Sequence, residues 1–349
     1  MSRYLRPLGL LSGAGARAAI TQAHALPLAG GSLAFALVEI IERTGVGAVN
    51  RRIVPAPSLR DELSAHMAER VPVPVGSSKG ERPIVMGIIN ATPDSFSDGG
   101  AFLDPIRAIA HGVAMLDAGA GIVDIGGEST RPGARPVDPA DEIARILPIV
   151  DGLRKPAEVA GALISVDTRN ATTMRAALDA GATMINDVSA LTHDHAALAL
   201  LADTDAPIVL MHMPGDPATM QARPAYDDVA LDVFDYLSAR IAACEAAGIA
   251  RGRLIADPGI GFGKTGGHNL ELLRQLTLFH GLGVRLMVGL SRKSFIARLS
   301  GDAPSDRRLP GSLAGAVAAM EQGVQILRVH DVTETIQALK VGEAILAER

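Results

Sequence analysis

Residues 163–191 read LISVDTRNATTMRAALDAGATMINDVSAL, and this stretch decides the fold. A short apolar run ends in Asp167 and a polar loop. A helical stretch follows and closes with Gly181, and a second apolar run, Met184–Asp187, begins at once. Glycine just past a helix end takes up the left-handed cap that other residues resist. The pattern is a strand, a crossover helix and a strand, which parallel pairing requires.

The unit recurs outward in both directions. Its closing signal appears as DAGAGIV with Gly119, EAAGIARGRLI with Gly248 and EQGVQIL with Gly323. Asp104-Pro105 marks one helix start, an N-cap followed by a first-turn proline, with Ile106, Ile109, Val113 and Leu116 forming one face. Candidate strands fall at 84–89, 122–126, 163–167, 184–187, 207–212, 253–257, 285–290 and 325–330. Eight such units over roughly 250 residues predict an α/β fold of the (β/α)8 TIM-barrel type rather than an open doubly wound sheet.

Residues 1–80 stand outside this repeat and read as an N-terminal extension, with 81–349 as the barrel domain. The extension contains one amphipathic helix pattern, Leu33 to Glu42, and runs into a Pro/Gly/Ser linker, PVPVGSSKGERP. Its residues point to no function.

Composition narrows the classes. The chain of 349 residues is 48% hydrophobic and only 3% aromatic, which suits strands buried on both faces by helices. A net charge of −5 leaves no basic surplus that would point to nucleic acid or an anionic membrane. The single cysteine, Cys244, rules out an internal disulfide and reads as a small buried residue. No apolar run is long enough to span a bilayer, and the broken apolar stretch at the N-terminus is a poor export signal. A cytoplasmic protein is expected.

Polar residues cluster at the strand ends: Asn90, Asp124, Asp167, Asn186, His212, Asp257, Arg328 and His330. In a barrel these ends converge on one face, where active sites lie. The connecting loops add further candidates. TPDSFSDGG (92–100) carries a lone aromatic, Phe96, which is either a stray residue or a lid over a ligand. GGESTRPGA (126–134) offers the Thr130 hydroxyl and the forked Arg131 cation, suited to a diphosphate or a carboxylate. DPGIGFGKT (257–265) is glycine-rich but lacks P-loop spacing, so Lys264 reads as solvated. Ser291, Arg292 and Lys293, with Arg328 and His330, place cations after the seventh and eighth strands, the usual anion site of this fold. His212 reads as structural or as a support to the site.

Taken together, TPDSFSDGG, GGESTRPGA, SVDT, IND, DPGIGFGKT, GLSRKS and RVHD resemble the dihydropteroate synthases, in the family's order over about residues 84–345. The combination of TPDSFSDGG, STRPG and SRKS is specific to that family. The resemblance implies an enzyme that joins a dihydropterin-methyl diphosphate to p-aminobenzoate, releasing diphosphate and forming dihydropteroate. It implies Mg²⁺ at Asn90 and a pterin pocket of Asp167, Asn186, Asp257 and Lys293. It places diphosphate at Thr130, Arg328 and His330, and p-aminobenzoate near Arg131, Pro132 and Ser291. Phe96 and Phe262 would flank the substrates, and Lys293, Asp167 and Arg328 would serve catalysis. A homodimer and sulfonamide binding near Phe96 and Pro132 are also implied.

The segment MHMPGDPATMQ departs from the family in carrying Pro214, and GVQIL before RVHD is unusual. Two rivals share features: a pterin-binding domain that hands methyl groups to a corrinoid protein, and a catalytically silent paralogue. The first needs neither the STRPG loop nor the SRK and RVH cations. The second predicts loss of Asn90, Lys293, Arg328 or His330, all of which are present.

Overall fold

The computed structural model describes residues 2–45, 48–70, 73, 82–91, 104–129, 136–216, 219–222 and 224–347. Eight parallel strands close into a barrel in chain order. They are β5 (Ile84–Asn90), β6 (Ile122–Gly126), β7 (Leu163–Asp167), β8 (Met184–Asp187), β9 (Ile208–Met211), β10 (Leu254–Asp257), β11 (Arg285–Gly289) and β12 (Ile326–Val329). The closing pair is β12 with β5, where Arg328 sits opposite Met86. Each expected strand is present to within a residue or two.

Helices cover the outside: α3 (Pro105–Asp117), α4 (Pro139–Ala160), α5 (Ala171–Asp179), α6 (His195–Ala202), α7 (Val229–Ala246), α8 (Gly266–Arg274), α9 (Ser294–Leu299), α10 (Leu309–Met320) and α11 (Val332–Ala347). Gly119, Gly181, Gly248 and Gly323 all have positive φ at the expected helix ends. Asp104 caps α3 by accepting from the Ile106 and Arg107 amides, with Pro105 in the first turn. The buried face of α3 matches the expected one at Leu116, with Ile109 and Val113 partly buried against the core, but not at Ile106, which is 77% exposed; Ala108, Gly112 and Met115 complete the buried face. A Cβ on Gly112 would lie 2.7 Å from Leu153 Cδ1, so close packing on α4 through the smallest residues sets the rotation of α3.

The extension is also folded. Strand β3 (Ala34–Gly45) is central, antiparallel to β1 (Ser2–Leu11) on one edge and to β2 (Leu26–Pro27) and β4 (Ala48–Pro55) on the other. Two short helices, α1 (Gly13–Thr21) and α2 (Ser64–Met67), complete it. The helix expected over Leu33–Glu42 is therefore a strand. Its apolar residues fit either period, but Val38, Ile40 and Ile41 are β-branched, and pairing on both edges satisfies the backbone. Phe35 and Val38 join the extension's own core, whereas Ile41 and Tyr4 join the barrel's. Burial on both faces erases the alternation that would have announced a strand.

Ion pairs and hydrogen bonds seat the sheet on α7. The Tyr4 hydroxyl donates to Asp235 at 2.7 Å, and Arg43 and Arg51 pair with Asp232 and Asp228 at 2.7 and 2.8 Å. The Thr277 hydroxyl donates to the Pro7 carbonyl at 2.9 Å. Cys244 is buried, as expected. Among the described residues no helix is long and apolar enough to cross a membrane.

Candidate active site

Side chains alternate along a strand, so residues two apart point the same way. Inside the barrel each strand contributes one residue to an apolar floor: Met86, Ile122, Leu163, Met184, Val209, Ile255, Met287 and Ile326. Two residues further on, toward the C-terminal ends, stand Asp124, Asn186, Asp257 and Arg328; Asp167 and Asn90 stand four further on. The alternation thus stacks a polar layer directly above a dry one.

Arg328 organises that layer. Its Nε donates to Asp124 Oδ2 at 2.7 Å, and its Nη2 donates to Asp167 Oδ2 at 2.8 Å. Asn186 Nδ2 donates to the same Asp124 oxygen at 3.0 Å. The other carboxylate oxygens, Asp124 Oδ1 and Asp167 Oδ1, are buried with no partner among the described residues. An unsatisfied buried acceptor typically costs about 1–3 kcal/mol, and a ligand presenting N–H groups would relieve it. Burial raises the Asp167 carboxyl to about 7 against the pull of Arg328, with Asp124 adding to the rise.

Asp257 and Lys293 bring a second carboxylate and ammonium under each other's electrostatic influence. Burial raises the Asp257 carboxyl, and Lys293 opposes that rise. Burial lowers the Lys293 ammonium to about 7; Asp257 opposes the shift and Arg328 adds to it. Lys293 Nζ donates to the Ile260 carbonyl and lies 4.3 Å from the centroid of the Phe262 ring. Asp257 Oδ1 accepts from the Gly259 amide at 2.7 Å.

The loop after β10 comes this close because of its glycines. A Cβ on Gly261, at φ +87°, would lie 2.7 Å from Lys293 Cδ. One on Gly259, at φ +68°, would lie 2.0 Å from the His212 carbonyl oxygen. No side chain fits either place.

Of the residues named from sequence for the pterin pocket, Asp167, Asn186, Asp257 and Lys293 are brought together, with Phe262 beside Lys293 and Arg328 among them. His330 and Ser291 pair with each other, Nδ1 to Oγ at 3.1 Å. Arg328, expected at the diphosphate, is engaged with two carboxylates in the pocket. Asn90 ends β5 beside Gly126 and is half-buried. Phe96, Thr130, Arg131 and Pro132 lie outside the described residues.

Two residues do more than their sequence context suggests. Asp124, a strand-end polar residue by sequence, is fully buried and holds both Arg328 and Asn186. Its place two residues above Ile122 was the available signal. Lys264, read as solvated, is 4% exposed. Its Nζ lies 3.0 Å from His212 Nδ1 and donates to the Phe262 carbonyl at 2.9 Å, and burial lowers its pKa well below the usual lysine value. It ties the loop after β10 to the end of β9. His212 is structural, buried and edge-on to Tyr236 at 4.9 Å.

Carboxylates, an amide and a lysine above an apolar floor suit a ring edged with N–H donors, and the chain falls in the class of pterin-binding enzymes: the family described as "Pterin binding enzyme" matches residues 86–330. The dihydropteroate synthase of Escherichia coli strain K12 is 49% identical over 267 residues, covering 76% of this chain and 93% of that protein. That of Synechocystis is 43% identical over 288 residues, covering 82% and 98%. Among solved structures, the Yersinia pestis dihydropteroate synthase in a sulfonamide drug complex superposes with a TM-score of 0.72 at 46% identity, covering 76% of this chain and 94% of that one. A Xanthomonas albilineans dihydropteroate synthase in complex with 7,8-dihydropteroate gives 0.68 at 43% identity, with the same coverage. This chain belongs to the dihydropteroate synthases, which are transferases.

Proposed function

We propose that the chain condenses (7,8-dihydropterin-6-yl)methyl diphosphate with p-aminobenzoate, giving 7,8-dihydropteroate and diphosphate, in tetrahydrofolate biosynthesis. The observation that carries this reading is the pair of buried, unpartnered acceptors Asp124 Oδ1 and Asp167 Oδ1 beside the Asp257–Lys293 pair. A pterin ring edge presents amide and amino N–H donors to such acceptors and a carbonyl to an ammonium.

The residues divide the work. Asp124, Asp167, Asn186 and Asp257 bind and orient the pterin, and Phe262 covers one side of it beneath Lys293. Holding the ring in a dry site converts a bimolecular displacement into a positioned one. The C–O bond to diphosphate breaks and the amine nitrogen of p-aminobenzoate bonds to the methylene carbon, then loses a proton. The amine is itself the nucleophile, so the protein needs no activated serine or cysteine. Charge grows on the departing diphosphate, for which Thr130 and His330 are assigned, with Arg328 supplying positive charge at the barrel mouth. Arg131, Pro132, Ser291 and Phe96 are assigned to the p-aminobenzoate side.

The Asn90 side chain offers the hard oxygen that Mg²⁺ prefers, and no cluster of three or more His, Cys, Asp or Glu that could hold a metal occurs among the described residues. That donor set fits an ion held by Asn90, waters and substrate phosphates, and Mg²⁺ would neutralise the leaving diphosphate. A homodimer in the cytoplasm completes the proposal.

Diphosphate release by the purified chain tests it, with each of the pterin diphosphate, p-aminobenzoate and Mg²⁺ omitted in turn. Turnover that needs all three, with dihydropteroate formed, is expected. Pterin binding without turnover would transfer the assignment to a silent paralogue or to methyl transfer.

A further inference from the structure

A cavity of about 300 Å³ lies at the other end of the barrel, where the extension meets the strand starts. Its wall comprises the turn 28–33 and Arg70 of the extension, Ile84, Arg285 and Gln325 at the starts of β5, β11 and β12, and the last turns of α11.

Arg70 is 5% exposed. It donates to the carbonyls of Ala65, Ala68 and His280 at 2.9, 3.1 and 2.8 Å, and its Nε is buried without a partner. Among the described residues no carboxylate pairs with it. Carbonyl oxygens take up its donors but supply no counter-charge, and a buried cation without one is costly. Burial, with Arg285 and Arg251 adding to it, lowers its pKa to about 10.

Arg82 and Arg285 bring two more guanidinium groups to the same wall. Of the carboxylates there among the described residues, Glu343 reaches Arg82 only at 3.7 Å, and Glu69 is exposed to solvent. Leu28, Met320 and Val324 supply an apolar side. The space greatly exceeds a bare oxyanion, and forked donors from both extension and barrel suit a group with acceptors in several directions.

We propose that this cavity binds a small organic phosphate monoester, its phosphate on Arg70 and Arg82 and its apolar body against Leu28, Met320 and Val324. Such a ligand bridges the extension and the barrel, so its binding also stabilises their contact. The cavity and the catalytic carboxylates occupy opposite ends of the strands, which makes the proposal independent of the reaction above.

Calorimetric titration of the full chain with phenyl phosphate tests this, with inorganic phosphate and phenylacetate as parallel probes. Arg82→Gln removes one cation. Gly31→Phe fills space, since a Cβ there meets only the Leu28 carbonyl oxygen at 3.5 Å and the backbone is free of strain. One equivalent of phenyl phosphate is expected to bind, more tightly than either comparison probe. Its affinity should fall about tenfold or more in each variant while turnover stays at the parent rate. No binding at millimolar phenyl phosphate overturns the proposal. So does equal affinity in the parent and both variants, which puts the ligand elsewhere. Phenylacetate binding as tightly as phenyl phosphate overturns the phosphate class.

Discussion

Arg328 Nε lies 2.7 Å from Asp124 Oδ2, and the two residues belong to strands β12 and β6, which are separated in the barrel by β5. A contact across a strand is possible only because both side chains point inward, where the small barrel is narrow. Asp167 takes a second nitrogen of the same guanidinium, so one cation holds two carboxylates. Arg328 thus engages one oxygen of each carboxylate and leaves the other, Asp124 Oδ1 and Asp167 Oδ1, for a ligand.

Removal of Asp124 should therefore damage both stability and binding. Asp124→Ala leaves Arg328 short of a partner in the interior, a change expected to cost about 3–5 kcal/mol. Asp124→Asn keeps the shape and should weaken pterin binding about 10–100-fold, the range for losing a hydrogen bond to a charged group. Urea denaturation and pterin calorimetry on both variants measure the two effects. Parent-level pterin affinity in Asp124→Asn would remove this residue from the pocket.

The raised Asp167 carboxyl has a consequence for stability. In the folded chain it titrates at about 7, against about 4 when unfolded. Between those values the folded state holds a proton that the unfolded state has released, so this group's contribution to stability falls as pH rises through the window. Denaturation midpoints at pH 5, 6, 7 and 8 should decline less in Asp167→Asn than in the parent. Parallel curves would mean that Asp167 is ionised throughout.

Lys293 carries its charge only below about pH 7 in the free protein. If its ammonium donates to the pterin, kcat/KM for the pterin diphosphate should fall as pH rises above that value, since kcat/KM reports the free enzyme. Lys293→Arg keeps a cation at all accessible pH and should flatten the profile, whatever its absolute rate. Lys293→Met should lose about 10–100-fold at pH 6. A profile unchanged by Lys293→Arg would assign the inflection to another group.

Gly261→Ala separates strain from collision. The residue sits at φ +87°, and the added Cβ meets the stem of Lys293 at 2.7 Å. Gly248, at φ +92° with nothing within 4 Å, supplies the control. Both alanine variants should lose about 1–3 kcal/mol to the left-handed backbone. Only Gly261→Ala should also weaken pterin binding, by displacing Lys293. Equal pterin affinity in the two variants would show that Lys293 adjusts freely.

The sequence alone determined the barrel and which strand ends carry its polar residues. Each strand–helix–glycine unit is a local pattern, and eight of them leave few other folds. The inward residues of β7, β8, β10 and β12 could be read because Asp167, Asn186, Asp257 and Arg328 interrupt apolar runs. What the tertiary structure decided is who meets whom. That Asp124 rather than a loop residue receives Arg328, and that Lys264 is buried against His212 and the Phe262 carbonyl, depend on distances between strands that are remote in the chain. The same holds for strand β3, whose Leu33–Glu42 pattern suits a helix until β1 and β4 pair on its two edges. It holds also for α3, which Gly112 rather than Ile106 seats on α4. Periodicity records what one segment buries, whereas pairing partners and close approach belong to two segments at once.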